Sequence, residues 1–171
     1  MKSFALMSVV AIFAAVAAGC AQSGDDTAGQ TTTPVSGAYV LASQPPGAKG
    51  VADVRESAKD GDEVVVTGRV GGDAEPFVEG AAAFTIIDPA LEPCSAAEGC
   101  PTPWDYCCDV DKAAANKAMV KVVDKQGRTV TTDARKLLNV QPLAQVVVHG
   151  RAKRDDAGNL TVLADGVYVS K

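Results

Sequence analysis

Two eight-residue segments, E-V-V-V-T-G-R-V from Glu63 and Q-V-V-V-H-G-R-A from Gln145, constrain this fold more than anything else in the chain. In both, one parity is small or apolar: Val64, Val66, Gly68 and Val70 in the first, Val146, Val148, Gly150 and Ala152 in the second. The opposite parity carries Thr67 and Arg69, or His149 and Arg151. A period of two in β-branched residues marks a strand with one face in a core and the other toward water. A glycine on the inner face lets such a strand bend sharply, as the corners of a small closed sheet require. Nothing around the two segments repeats, so they read as like strands and not as a duplication.

The rest of the chain supplies partners for them. Ala82 to Asp88 (A-A-F-T-I-I-D) is a second strand, closed by Pro89, and Met119 to Asp124 a third, turned by Lys125-Gln126-Gly127. Arg128 to Thr132 is a candidate hairpin return, and Leu137, Leu138, Val140 and Leu143 lie in a short connector. Gln145 to Ala152 is the fourth strand and Leu160 to Val169 the fifth, with Asp155 to Asn159 as the turn and Asp165-Gly166 as a bulge. Ahead of them all, Val51, Val54 and Ala58 share one face of a short helix that Asp60-Gly61 stops.

Five strands, a connector between the third and fourth, and glycine-bent first and fourth strands resemble an OB-fold barrel. The resemblance covers Val51 to Val169 and rests on V-V-V-T-G-R-V, F-T-I-I-D, V-V-D-K-Q-G, V-V-V-H-G-R and L-T-V-L-A-D-G-V-Y. It implies an all-β domain with minor α over residues 51–171, similar to exported bacterial OB-fold proteins; a β-sandwich is the alternative. The main departure is a cysteine-rich insert at 89–117, between strands 2 and 3.

That insert runs C-S-A-A-E-G-C-P-T-P-W-D-Y-C-C from Cys94 to Cys108 and holds four of the five cysteines and the only tryptophan. In an oxidising compartment an even set of cysteines reads as disulfides. A bond between neighbours Cys107 and Cys108 would strain the ring it closes, leaving Cys94–Cys107 with Cys100–Cys108, or Cys94–Cys108 with Cys100–Cys107. Each would close a loop of about 15 residues at most, worth ~3 kcal/mol. The alternative is a metal site on the same four residues, for which the ligand types are suited but no C-x-x-C pair is present. Thiol–disulfide exchange is a third reading, and Glu98, Asp105 and Asp109 make the setting acidic where an electropositive one is wanted. Trp104 and Tyr106 are either anchors that plug the loop onto the barrel or candidates for contacting a partner.

The N-terminus addresses the chain. Phe4 to Ala18 is an apolar run after Lys2, ending in Ala17-Ala18-Gly19-Cys20. It has the length of a signal-peptide core and is too short to span a bilayer. It resembles the lipobox of bacterial lipoproteins, although Ala17 stands where leucine is usual. The resemblance implies a signal peptide at 1–19, a diacylated Cys20 as mature N-terminus and a lipid-anchored domain in the cell envelope. Residues 20–50 are rich in Gly, Ser, Thr, Gln and Pro and read as the acylated cysteine and a flexible tether, with a reach of ~30 Å. Removal of Lys2 leaves 15 basic and 21 acidic residues, a net charge of −6.

An acidic, aromatic-poor, exported chain lacks the basic groove and stacking platform that single-stranded nucleic acid requires, so no nucleic-acid partner is expected. His149 is the only histidine and has no companion that would make an imidazole metal site or a catalytic dyad. Arg69, Arg151, Lys153 and Arg154 form at most a mixed solvated face, and Asp88 and Asp124 are turn formers. No phosphate loop, nucleophile elbow or H-E-x-x-H occurs. The expectation is a lipid-anchored binding module without catalysis or cofactor, whose partner is an envelope protein or small ligand. The alternative function is metal or thiol-redox handling by the four cysteines.

Overall fold

A computed structural model gives the structure of residues 35–170, positions 96 and 98 excepted. Cys20 and the leader lie outside these residues. Within them six strands form one sheet: β1 (Lys49–Gly50), β2 (Glu63–Val70), β3 (Ala83–Ile87), β4 (Lys117–Val122), β5 (Gln145–Arg154) and β6 (Leu160–Val169). The order is β1-β2-β3-β4-β6-β5, and β5 pairs again with β2, closing β2 to β6 into a five-stranded barrel. β4 runs parallel to β6, and the other barrel pairs are antiparallel. This is the OB-like barrel expected from the sequence, and a sandwich would not close β5 onto β2.

The parity that named the strands also fills the barrel. Val66, Gly68 and Val70 of β2 are buried while Thr67 and Arg69 are half-buried, and Val146, Val148, Gly150 and Ala152 of β5 are buried while Arg151 is exposed. Phe84, Ile86, Val120, Val122, Leu160 and Val162 complete the interior. Two short helices add to it, α1 (Val51–Ser57) through Val51 and Val54 and α3 (Ala134–Leu138) through Leu137 and Leu138, while α2 (Val110–Ala115) lies in the insert. β6 bulges as expected, for His149 faces Gly166 while Gly150 faces Ala164, leaving Asp165 as the extra residue.

Asp88, just past β3, shows why α1 starts where it does. Its buried carboxylate accepts the backbone N–H of Ala52 through Oδ2 and that of Ala90 through Oδ1, each at 2.9 Å. A side chain on Gly50 would meet that Oδ2 at 2.6 Å, so the glycine lets the acid reach the helix N-terminus. At the other end the Arg154 guanidinium donates to the carbonyls of Val54, Arg55 and Ala58. Asp88, expected only as a turn former, is therefore also a long-range tether.

Several expectations are revised. The third strand begins at Lys117 and ends at Val122, because Asp124 takes the backbone N–H groups of Gln126 and Arg128 into a tight turn. Arg128 to Thr132 returns only through the single bridge between Val123 and Thr129. The connector contains a true helix, α3, capped by Asp133 and ended by left-handed Asn139. With the two-residue β1 counted, the second and third barrel strands that the cysteine segment joins are β3 and β4.

Part of the stretch expected as tether is bonded to the barrel. Tyr39 to Leu41 lies along β6, with Leu41 N–H donating to Val167 at 2.9 Å and Val167 N–H to Tyr39 at 2.8 Å. β4 pairs with β6 only up to Ala164, so the β6 edge beyond is available, and this segment takes it. Gly166 leaves room for the Leu41 side chain, which would otherwise stand 2.8 Å from a Cβ. Among the described residues no helix is long and apolar enough to cross a membrane.

Candidate metal centre

The insert leaves the barrel at Ile87 and returns at Lys117, and one residue fixes its path. Tyr106 adopts the left-handed conformation (φ 59°) between two 3-10 turns, Pro103–Asp105 and Cys107–Asp109. That backbone is unfavourable for an aromatic residue, and burial holds it in place. The ring is 1% exposed, packed with Ile87, Ala113 and Leu91 in a small core of its own on the outer face of β3. Its hydroxyl accepts from the Arg69 guanidinium at 3.2 Å, and Arg69 also donates to the Leu91 carbonyl at 2.7 Å. Arg69, expected as a solvated outer residue, thus fastens two points of the insert, Leu91 and Tyr106, to β2. Tyr106 is corrected from a partner-binding candidate to a plug: nothing outside can reach it.

Trp104 is half-buried and fastens a second point. Its indole N–H donates to the Ala74 carbonyl at 3.0 Å, and its own carbonyl accepts from Gly72 N–H at 2.8 Å. A side chain on Gly71 would meet that carbonyl at 2.6 Å, which makes glycine a requirement of the contact. Insert and β2–β3 loop therefore hold each other. Lys117 adds to the junction by donating to Asp73 at 2.5 Å.

So held, the turn after Tyr106 carries Cys107 and Cys108 toward Cys94 and Cys100. The Sγ–Sγ separations are 3.4 Å for Cys100–Cys107, 3.6 Å for Cys100–Cys108, 3.9 Å for Cys94–Cys107 and 4.0 Å for Cys107–Cys108. All four sulfurs lie within 4.8 Å of one another. None of these separations is the bonded distance of about 2.05 Å that the expected disulfides need, and the structure holds the four as free thiols. The sulfurs do not pair off; they converge on a common point.

The surroundings grade from inside to outside. Cys94 is buried, Cys100 half-buried, and Cys107 and Cys108 are exposed. The backbone N–H of Cys108, then its thiol, hold the Cys94 thiol below its ordinary range. The thiol of Cys108 is pushed up to about 12, first by Cys94 and then by Cys100, and Cys107 is raised further, by Cys100 and then Asp105. Of Cys94, Cys107 and Cys108, Cys94 is thus the one held toward its thiolate, with neighbouring groups donating to its sulfur. Asp105, absent from the sequence-derived candidates, accepts from Thr102 at 2.5 Å and from Cys107 N–H at 2.8 Å, fixing the approach to the double cysteine. Its signal was local: an Asp two residues before an N–H to be turned is an Asx-turn.

The remaining polar candidates are brought elsewhere. Lys153 pairs with Asp60 and Arg154 serves α1, so the basic stripe is dispersed among structural partners. His149 lies on the far strands, its Nδ1 2.6 Å from Asp165 and its Nε2 3.1 Å from Glu63. The Asp165 contact first, and Glu63 after it, raise the His149 pKa against partial burial. A raised folded pKa adds stability that is whole below about pH 6.5 and disappears as pH climbs through the folded value. The thermal midpoint of wild type should exceed that of His149→Gln at pH 6, with the gap closing by pH 9 and shrinking in high salt. A gap that widens with pH would refute the pairing.

The chain matches no protein-family model, and no curated protein matches it significantly.

Proposed function

We propose that this protein is a cell-envelope module in which an OB-like barrel carries a four-thiolate centre for a soft metal ion, zinc foremost. The observation that carries the reading is the mutual approach of Cys94, Cys100, Cys107 and Cys108, all sulfurs within 4.8 Å. Four ligands at a Zn–S distance of about 2.3 Å define a tetrahedron with edges of about 3.8 Å. The four separations of 3.4 to 4.0 Å fall on both sides of that edge. This departs from the expectation of no cofactor, because convergence supplies what the missing C-x-x-C pair would have supplied. The left-handed turn at Tyr106 lets two adjacent cysteines serve one centre.

The lipobox-type leader supports an envelope location, with Cys20 acylated and the barrel held at the membrane surface. The role assigned to the barrel is binding and positioning, with no reaction of its own and no nucleic acid partner. A partner would meet the insert at its exposed sulfur end and the half-buried Trp104.

Mass spectrometry of the native, full-length protein, paired with metal analysis, tests this. One zinc per chain is expected, with the four insert cysteines resisting alkylation until a chelator is added. Two disulfides and no metal would overturn the reading, and acyl mass on Cys20 checks the anchor in the same measurement.

A further inference from the structure

We infer that this centre is redox-gated: a hydroperoxide converts Cys100 and Cys107 into a disulfide and the metal leaves. The inference rests on the metal reading above and adds its regulation. Cys100 and Cys107 have the shortest of the measured separations, 3.4 Å, and neither is buried. Cys94, by contrast, is buried. Oxidant arriving from solvent therefore meets the Cys107 end of the cluster first, where the partner for a disulfide is already in van der Waals contact.

The chemistry balances without any further redox partner. One thiolate attacks the peroxide, the O–O bond breaks, and a sulfenic acid and an alcohol, or water, form. The second thiolate attacks that sulfur, an S–S bond forms, and the hydroxyl leaves as water after taking up a proton. Two thiolates, one peroxide and two protons thus yield one disulfide, one alcohol or water, and one further water. With two of four ligands consumed, the remaining pair no longer encloses the ion, which is released.

The fold confines this change to the sulfur end. Tyr106 stays in its pocket with Ile87 and Ala113, and its hydrogen bond to Arg69 does not involve sulfur. Trp104 remains tied to Ala74 and Gly72. The barrel should therefore survive loss of the metal, and the same four cysteines serve as metal ligands when reduced and as disulfide formers when oxidised. That duality also reconciles an even cysteine set in an oxidising compartment with sulfurs that are gathered but not bonded.

Zinc-loaded full-length protein titrated with hydrogen peroxide tests the inference. A chromogenic chelator reports released zinc, and peptide mapping without reductant reports the bridge. Expected are loss of the whole zinc complement with the first bridge, that bridge being Cys100–Cys107, an unchanged far-UV circular dichroism spectrum, and zinc rebinding after a dithiol reductant. Zinc that stays bound through the titration, or leaves with overoxidised sulfur and no bridge, overturns the gating and leaves the metal reading standing. Absence of zinc before any oxidant overturns both, and is told apart by that first measurement.

Discussion

Tyr106→Ala should lower the stability of the folded domain by about 3–5 kcal/mol, the range for emptying a buried large aromatic site. The ring is almost wholly enclosed between Ile87, Leu91 and Ala113, and it is the largest side chain of the small core that joins a barrel strand to the insert. Its loss also strands the Arg69 guanidinium, which would keep only the Leu91 carbonyl of its two partners. Because Tyr106 sets the turn before Cys107 and Cys108, the variant should bind zinc more weakly as well as unfold earlier. Tyr106→Phe separates the contributions, since it deletes only the hydroxyl and should cost about 1 kcal/mol while retaining the metal. Denaturant titration and zinc competition measure both effects. A Tyr106→Ala variant with wild-type midpoint and affinity would show that the insert is held by something other than this plug.

Gly150→Ala should be nearly as damaging, by about 3 kcal/mol, the upper end of what overpacking usually costs. A Cβ at Gly150 would lie 2.3 Å from the Leu163 carbonyl oxygen and 2.8 Å from the Ala164 Cα, both backbone atoms of the paired strand beside the Asp165 bulge. Neither can rotate away, so β5 and β6 would have to separate where their register shifts. Gly68→Ala is the instructive comparison. There the nearest atoms, at 2.9 Å, belong to the Ile86 side chain, which can adjust in part. Its cost should be smaller, about 1–2 kcal/mol. Equal costs from urea unfolding would mean that the bulge does not fix the strand spacing.

These two glycines show what was legible. Both occupy the inner parity of the echoing segments, so the period of two and the need for bending were readable without coordinates. So were the helix at Val51, the bulge at Asp165 and the turn roles of Asp88 and Asp124. Boundaries were less readable, because Asp124 and Asp133 set them through side-chain hydrogen bonds that apolar periodicity does not register. The pairing of Tyr39 to Leu41 with β6 has no local signal for a related reason. Three apolar residues have no detectable period, and their partner is an edge of β6 left available where β4 stops.

The insert divides most sharply. Its composition, its place between two barrel strands and the identity of its four cysteines came from the sequence alone, because these are properties of neighbouring residues. Whether the sulfurs pair or converge did not, and neither did which aromatic would be sealed inside. Those outcomes depend on a left-handed Tyr106 whose conformation is held by Arg69 from a strand 37 positions earlier, and on a Gly71–Trp104 approach that places the loops against each other. Local patterns decide which elements form; the meeting of groups far apart in the chain decides the centre, and only the closed barrel brings them together.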